Sequence, residues 1–184
     1  MSVPAIVESK GRANAAATVT VNNHPAYRRG EYFRVETPVA NGSGPAYPAL
    51  AVLGVLNNGT NPDLVTNRTG NVFVPQTPES FTHDADGNLT ADGRWTYTWD
   101  GENRLTAMEA KSSVPSGAKA KLQFAYDHQG RRIVKKVYAW NPATSGYDLT
   151  TETKFLYDGW NLIAEVGTSG SLVRSYMWGL DLSG

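Results

Sequence analysis

The chain has 184 residues, 17 basic against 17 acidic ones, 18 glycines, 10 prolines and no cysteine. Zero net charge argues against a protein whose main task is to hold nucleic acid or an anionic membrane by charge. The missing cysteine removes disulfide frameworks, cysteine zinc sites, iron–sulfur clusters and thiol nucleophiles, and the many glycines and prolines leave little room for long helices.

In chain order, Met1 to Arg12 carries Glu8 and Lys10 and lacks the basic-then-apolar order of a secretory leader. Thr18-Val19-Thr20-Val21 alternates and is β-branched, the pattern of a pleated strand. Asn22-Asn23-His24-Pro25 is turn chemistry, and Glu31 to Glu36 is a second strand. Ala46 to Val55 is a third, with Pro48 at its entry, where a missing N–H does least harm. The apolar run Ala49 to Leu56 is far shorter than the roughly 18 residues of a membrane span. After a loop over Asn57 to Asp63, Thr69 to Val74 reads as a short strand. Pro75-Gln76-Thr77-Pro78 then marks a boundary between an irregular strand-rich segment, 1–80, and a second region, 81–184. The second region is denser in aromatics, with 14 of the 19.

That second region repeats itself. Aligned on Asp84, Asp100, Asp127 and Asp158, the preceding residue is His83, Trp99, Tyr126 or Tyr157. Three residues before stand Phe81, Tyr97, Phe124 and Phe155, and three after stand Gly87, Asn103, Gly130 and Asn161. Leu89, Leu105 and Ile163 follow at plus five, while the third copy has Arg132 there and Ile133 one later. The spacings of 16, 27 and 31 residues exclude a fixed-period solenoid. The expected device is a β-hairpin. Two aromatics two apart share a strand face. An aspartate starts an Asx-turn, and a glycine or asparagine takes the left-handed position cheaply. Ser175-Tyr176-Met177-Trp178-Gly179 reads as the start of a fifth copy without a closing turn, so the sequence reads as a piece of a longer repeating architecture.

Tyr126-Asp127-His128-Gln129-Gly130-Arg131-Arg132 and Tyr157-Asp158-Gly159-Trp160-Asn161-Leu162-Ile163-Ala164-Glu165, with the variants around Asp84 and Asp100, resemble the YD-repeat (Rhs) family of bacterial proteins. The resemblance covers about residues 81–182. It implies an all-β fold of antiparallel hairpins in a twisted sheet, a section of an Rhs-type β-shell. The implied role is a non-enzymatic structural module that helps enclose a polymorphic toxin or effector, with no cofactor. The implied partners are further YD repeats or the C-terminal toxin of a parent protein; the balanced charge and the short apolar runs add the expectation of no nucleic acid and no membrane span. Parent proteins of this kind are secreted or cell-surface. The family's protease motif is absent, and the lone Asp181 near the junction makes no catalytic dyad.

Other chemistry is weaker. Asp84, Asp86, Asn88 and Asp92 are closely spaced oxygens, but an EF-hand needs a glutamate where Trp95 stands. His24, His83 and His128 have no second ligand at metal spacing. Arg131-Arg132 and Lys135-Lys136 form the one basic cluster, and their doublets break period two unless a bulge intervenes. Trp140 and Trp160 are the candidates for sugar stacking in the alternative reading, a surface carbohydrate-binding module, against plain cross-strand packing. The four Asn-x-Ser/Thr matches, at Asn41, Asn58, Asn67 and Asn88, are read as ordinary loop chemistry.

Overall fold

A computed structural model describes residues 3–179; Asp181 lies outside them. The described chain is all-β and antiparallel, with no α-helix and one 3₁₀ turn at Ser116–Ala118. It divides into two compact units, Met1–Glu79 and Ser80–Gly184.

The first unit holds β1 (Ala5–Arg12), β2 (Thr18–Val21), β3 (His24–Pro25), β4 (Tyr27–Arg29), β5 (Tyr32–Val39), β6 (Ala49–Leu56) and β7 (Leu64–Asn71). One sheet runs β1-β5-β4 and another β3-β2-β6-β7. Its small core is valine: Val19, Val21, Val35, Val39 and Val74 are buried. The strand expected at Thr18–Val21 has those bounds, and the Glu31 strand runs on to Val39. β6 starts directly after Pro48. The strand expected at Thr69 instead begins at Leu64, and Val74 makes an isolated bridge to Ala46. β1 has no counterpart among the expected strands, because its inward positions, Ser9 and Gly11 among them, are too small to announce a core face. Gly11 lies opposite Phe33, whose ring covers it so closely that an added Cβ would come within 2.6 Å.

The second unit is a nine-stranded meander in sequence order. Its strands are β8 (Thr82–His83), β9 (Leu89–Ala91), β10 (Trp95–Trp99), β11 (Leu105–Ala110), β12 (Ala120–Tyr126), β13 (Arg132–Asn141), β14 (Gly146–Asp158), β15 (Asn161–Val166) and β16 (Leu172–Ser175). Each strand pairs with its sequence neighbour, so every link is local. Ala110, Val114, Ala118 and Phe155 are its buried apolar residues.

Candidate functional site

The aspartates at 84, 100, 127 and 158 fall at the turns β8–β9, β10–β11, β12–β13 and β14–β15. The first three turns share one geometry. The aspartate N–H donates to the carbonyl four residues on, at 3.0 Å in each case (Asn88, Arg104, Arg131). The residue at plus three, Gly87, Asn103 or Gly130, has φ of 86°, 58° or 79° and donates its N–H back to the aspartate carbonyl. This is a three-residue loop closed by a left-handed residue. One carboxylate oxygen accepts two backbone N–H groups, from Asp86 and Asn88, Glu102 and Arg104, or Gln129 and Arg131. The other accepts the side chain at plus four: Asn88 at 3.1 Å, Arg104 at 2.8 Å, Arg131 at 2.7 Å.

These donors set the electrostatics. At Asp100 the backbone N–H of Arg104 is the largest influence and holds the carboxyl below its usual range, against the opposing effect of burial. At Asp84 and Asp127 burial is the largest single influence and pushes upward. The side-chain and backbone donors of Asn88 and Arg131 together outweigh it, and both carboxyls end below the usual range.

The fourth turn differs. Asn161 is not in the left-handed position; it pairs with Asp158 across β14 and β15, and the positive φ, 56°, belongs to Gly159. The loop is therefore two residues, Gly159-Trp160, with the positive φ on the first, as type II′ turns require. One residue fewer in the loop shifts everything after it. Leu162, not Ile163, is the counterpart of Leu89 and Leu105.

The register shows why. Each hairpin carries a bulge in its returning strand just after the turn, with Thr90, Thr106, Ile133 or Ile163 as the extra residue. The bulge at Ile133 breaks the alternation just after Arg131-Arg132, whereas Lys135 and Lys136 pair in regular register and lie on opposite faces of the strand. Pairing between that returning strand and the next outgoing one begins beyond the bulge, at Ala91, Ala107, Val134 or Ala164. Two residues earlier, the carbonyl receives a side-chain donor instead. Trp99 Nε1 donates to Leu89 at 2.8 Å, Tyr126 OH to Leu105 at 2.9 Å, Tyr157 OH to Arg132 at 3.0 Å and Trp178 Nε1 to Leu162 at 2.7 Å. The residue before Asp100, Asp127 and Asp158 thus ties one hairpin to the one before it. Trp178 takes the same post in the partial fifth copy. The signal was in the sequence: that position always bears an N–H or O–H, whereas minus three is mostly phenylalanine.

The plus-four side chains link the turns in the other direction. Asn88 Nδ2 donates to Asn103 Oδ1 at 2.7 Å, Arg104 lies over the Tyr126 ring at 5.3 Å, and Arg131 lies over Tyr157 at 5.2 Å while donating to the Gly159 carbonyl. Arg132 spans the Phe124 and Phe155 rings, at 5.6 and 5.0 Å. Lys136 lies 3.5 Å from Glu152.

Trp140 and Trp160 are not brought together. Trp140 is half-buried in an edge contact with Tyr147, 5.1 Å between centroids, with the Lys119 ammonium 4.1 Å from its ring. Trp160 sits at the turn at the opposite end of the 13-residue β14 and is 71% exposed. Asp92 caps its own turn, accepting from the N–H groups of Arg94 and Trp95 and from Tyr97 OH, each within 2.7 Å. His24, His83 and His128 are exposed, and among the described residues no three His, Asp or Glu side chains form a metal-type cluster.

No family model matches the chain. Over 103 residues, 55% of this chain, it is 34% identical to the tRNA nuclease WapA of Bacillus subtilis strain 168. The same figures hold for the tRNA3(Ser)-specific nuclease WapA of Bacillus spizizenii and the tRNA(Glu)-specific nuclease WapA of Bacillus subtilis subsp. natto. The matched residues are about 4% of the length of these curated relatives.

These findings correct four expectations. The assignment to the YD-repeat (Rhs) family does not stand, since no family model matches and the relatives are named as nucleases. A non-enzymatic structural module of a toxin-enclosing β-shell, with carbohydrate binding as its alternative, is overturned by relatives named for cutting tRNA. The expectation of no enzymatic function falls with it. So does the exclusion of nucleic acid as a partner, which rested on total charge; a sum over 184 residues says nothing about one face of one sheet.

Proposed function

We propose that this chain serves in a nuclease directed at tRNA. The observation that carries the reading is the 34% identity over 103 residues to three tRNA nucleases. Two of the three names specify a tRNA, and a different one each, yet the match to this chain is the same in length and identity. The matched segment is accordingly the part they hold in common, and the choice of tRNA belongs elsewhere. No catalytic residue is assigned, because the carboxylates at 84, 100 and 127 are taken up by donors of their own turns. The test is tRNA cleavage, followed on denaturing gels, by the purified chain and by any longer product of its reading frame. The expected result is discrete tRNA fragments without preference between tRNA(Ser) and tRNA(Glu) for the portion held in common. tRNA left intact by both preparations would refute the reading.

A further inference from the structure

The outer face of the sheet β1-β5-β4 concentrates cations and aromatics that lie scattered in the sequence. The register pairs Lys10 with Arg34 and Arg34 with Tyr27, and one row further on Arg12 with Tyr32 and Tyr32 with Arg29. Residues two apart on a strand share a face, so these six side chains form a grid of two rows across three strands. All six are exposed, Tyr27 at 73% and Tyr32 at 58%. They border an open cleft of about 410 Å³.

Three carboxylates are close. Lys10 lies 2.5 Å from Glu8, Arg34 contacts Glu8 and lies 2.5 Å from Glu36, and Arg12 lies 2.7 Å from Glu31. No ion pair engages Arg29 among the described residues, so four cations face three carboxylates and one guanidinium is uncommitted. Exposed pairs of this kind hold their partners weakly, so a phosphate can take a carboxylate's place at little cost. Arg12 also lies 5.5 Å from the Tyr32 centroid, which holds that ring beside a cation.

We infer that this face docks a single-stranded stretch of RNA, the phosphates on Arg12, Arg29 and Arg34 and the bases on the Tyr27 and Tyr32 rings. Cations interleaved with exposed aromatics on a sheet are what backbone tracking and base stacking require. The choice of RNA rests on the tRNA-directed reading above; the arrangement of the grid does not.

The test measures anisotropy of a short, labelled, mixed-sequence single-stranded RNA with the full chain, its integrity checked on a gel. Three phosphate contacts give binding that weakens about 20-fold between roughly 50 and 200 mM salt. The double variant Arg12→Ala, Arg29→Ala leaves a salt slope shallower by about 1.4 units. Tyr32→Ala weakens binding about five-fold or more, and Tyr32→Phe restores it, because the ring and not the hydroxyl does the stacking. Arg68→Ala, on β7 of the other sheet, changes neither affinity nor slope. Absence of binding by the wild-type chain, an unchanged slope in the double variant, or duplex RNA bound as tightly as single-stranded RNA would overturn the proposal. RNA bound through this face while tRNA stays uncut refutes the nuclease reading alone. Cut tRNA with unaltered variants refutes this one alone.

Discussion

Tyr126→Phe isolates the tie between hairpins. The ring stays, and with it the contact to Arg104, 5.3 Å from the centroid. Only the hydroxyl that donates to the Leu105 carbonyl at 2.9 Å is lost. A hydrogen bond contributes about 0.5–1.5 kcal/mol net, and a carbonyl left without a donor in a partly buried place costs towards the upper end. The strand pairing cannot replace the donor, because on β11 it begins only at Ala107. The expected loss is therefore about 1 kcal/mol, or roughly 4–8 °C in the thermal midpoint of a unit of this size. Tyr138→Phe is the control. Its hydroxyl donates to Gln123 Oε1 at 2.6 Å, a flexible acceptor that can turn to water, and it should lower the midpoint by less than half as much. Thermal unfolding followed by circular dichroism and calorimetry gives both numbers. If Tyr126→Phe melted with the wild type, or if Tyr138→Phe proved the more damaging, the aromatic donor would not be what joins the hairpins.

Two further outcomes follow from the same geometry. Asn41, 1% exposed, donates Nδ2 to the Pro75 carbonyl and to Thr77 Oγ1 and accepts from the Ala5 N–H, so it fastens β1 to the segment after β7; Asn41→Ala strands those groups, should cost about 3 kcal/mol in urea unfolding, and should accelerate amide exchange at Ala5 first. Burial raises the Asp92 carboxyl, but Tyr97 OH and the Trp95 and Arg94 N–H groups outweigh it, so Asp92 joins Asp84, Asp100 and Asp127 below the usual aspartate range. Carboxyls depressed in the folded state contribute stability above their unfolded value, and it is lost as pH falls through the folded one. The melting temperature should hold steady above about pH 5 and fall below about pH 4, with Asp127→Asn showing a shallower fall; a melting temperature that rose on acidification would contradict the sign.

The turns were legible because their chemistry is local. Aspartate, left-handed glycine or asparagine and the donors at plus two and plus four lie within five residues, and propensity alone orders them at Asp84, Asp100 and Asp127. Asn161 misled because asparagine suits both a left-handed turn and a strand end, and only the register shows the loop there to be one residue shorter. The aromatic ties were not legible, since each acceptor is a backbone carbonyl 10 to 25 residues away and its exposure depends on a bulge that no single residue type dictates. The cation grid was hidden for a related reason. Lys10, Arg12, Arg29 and Arg34 come from three strands, and adding their charges to the rest of the chain cancels them.

The uneven spacing of the aspartates follows from where the hairpins touch one another. At the aspartate end, each turn is held by the next: Asn88 by Asn103, Arg104 by the Asp127 carbonyl, Arg131 by the Gly159 carbonyl. At the three turns closed by a three-residue loop, a residue added there would move the left-handed position away from the aspartate carbonyl that its N–H donates to. The opposite end is freer. Between Asp84 and Asp100 the chain reverses through the short turn capped by Asp92. Between Asp100 and Asp127 it reverses through the Lys111–Lys119 loop, which buries Val114 and Ala118 and receives Arg94 on the Ala118 carbonyl. Between Asp127 and Asp158 the strands themselves lengthen, to 10 and 13 residues. Lengthening a loop raises its closure entropy only logarithmically, whereas displacing a shared hydrogen bond is felt at once. The variable inserts therefore collect at the end away from the aspartates, and the first three motifs keep their local spacing while the distance between motifs drifts.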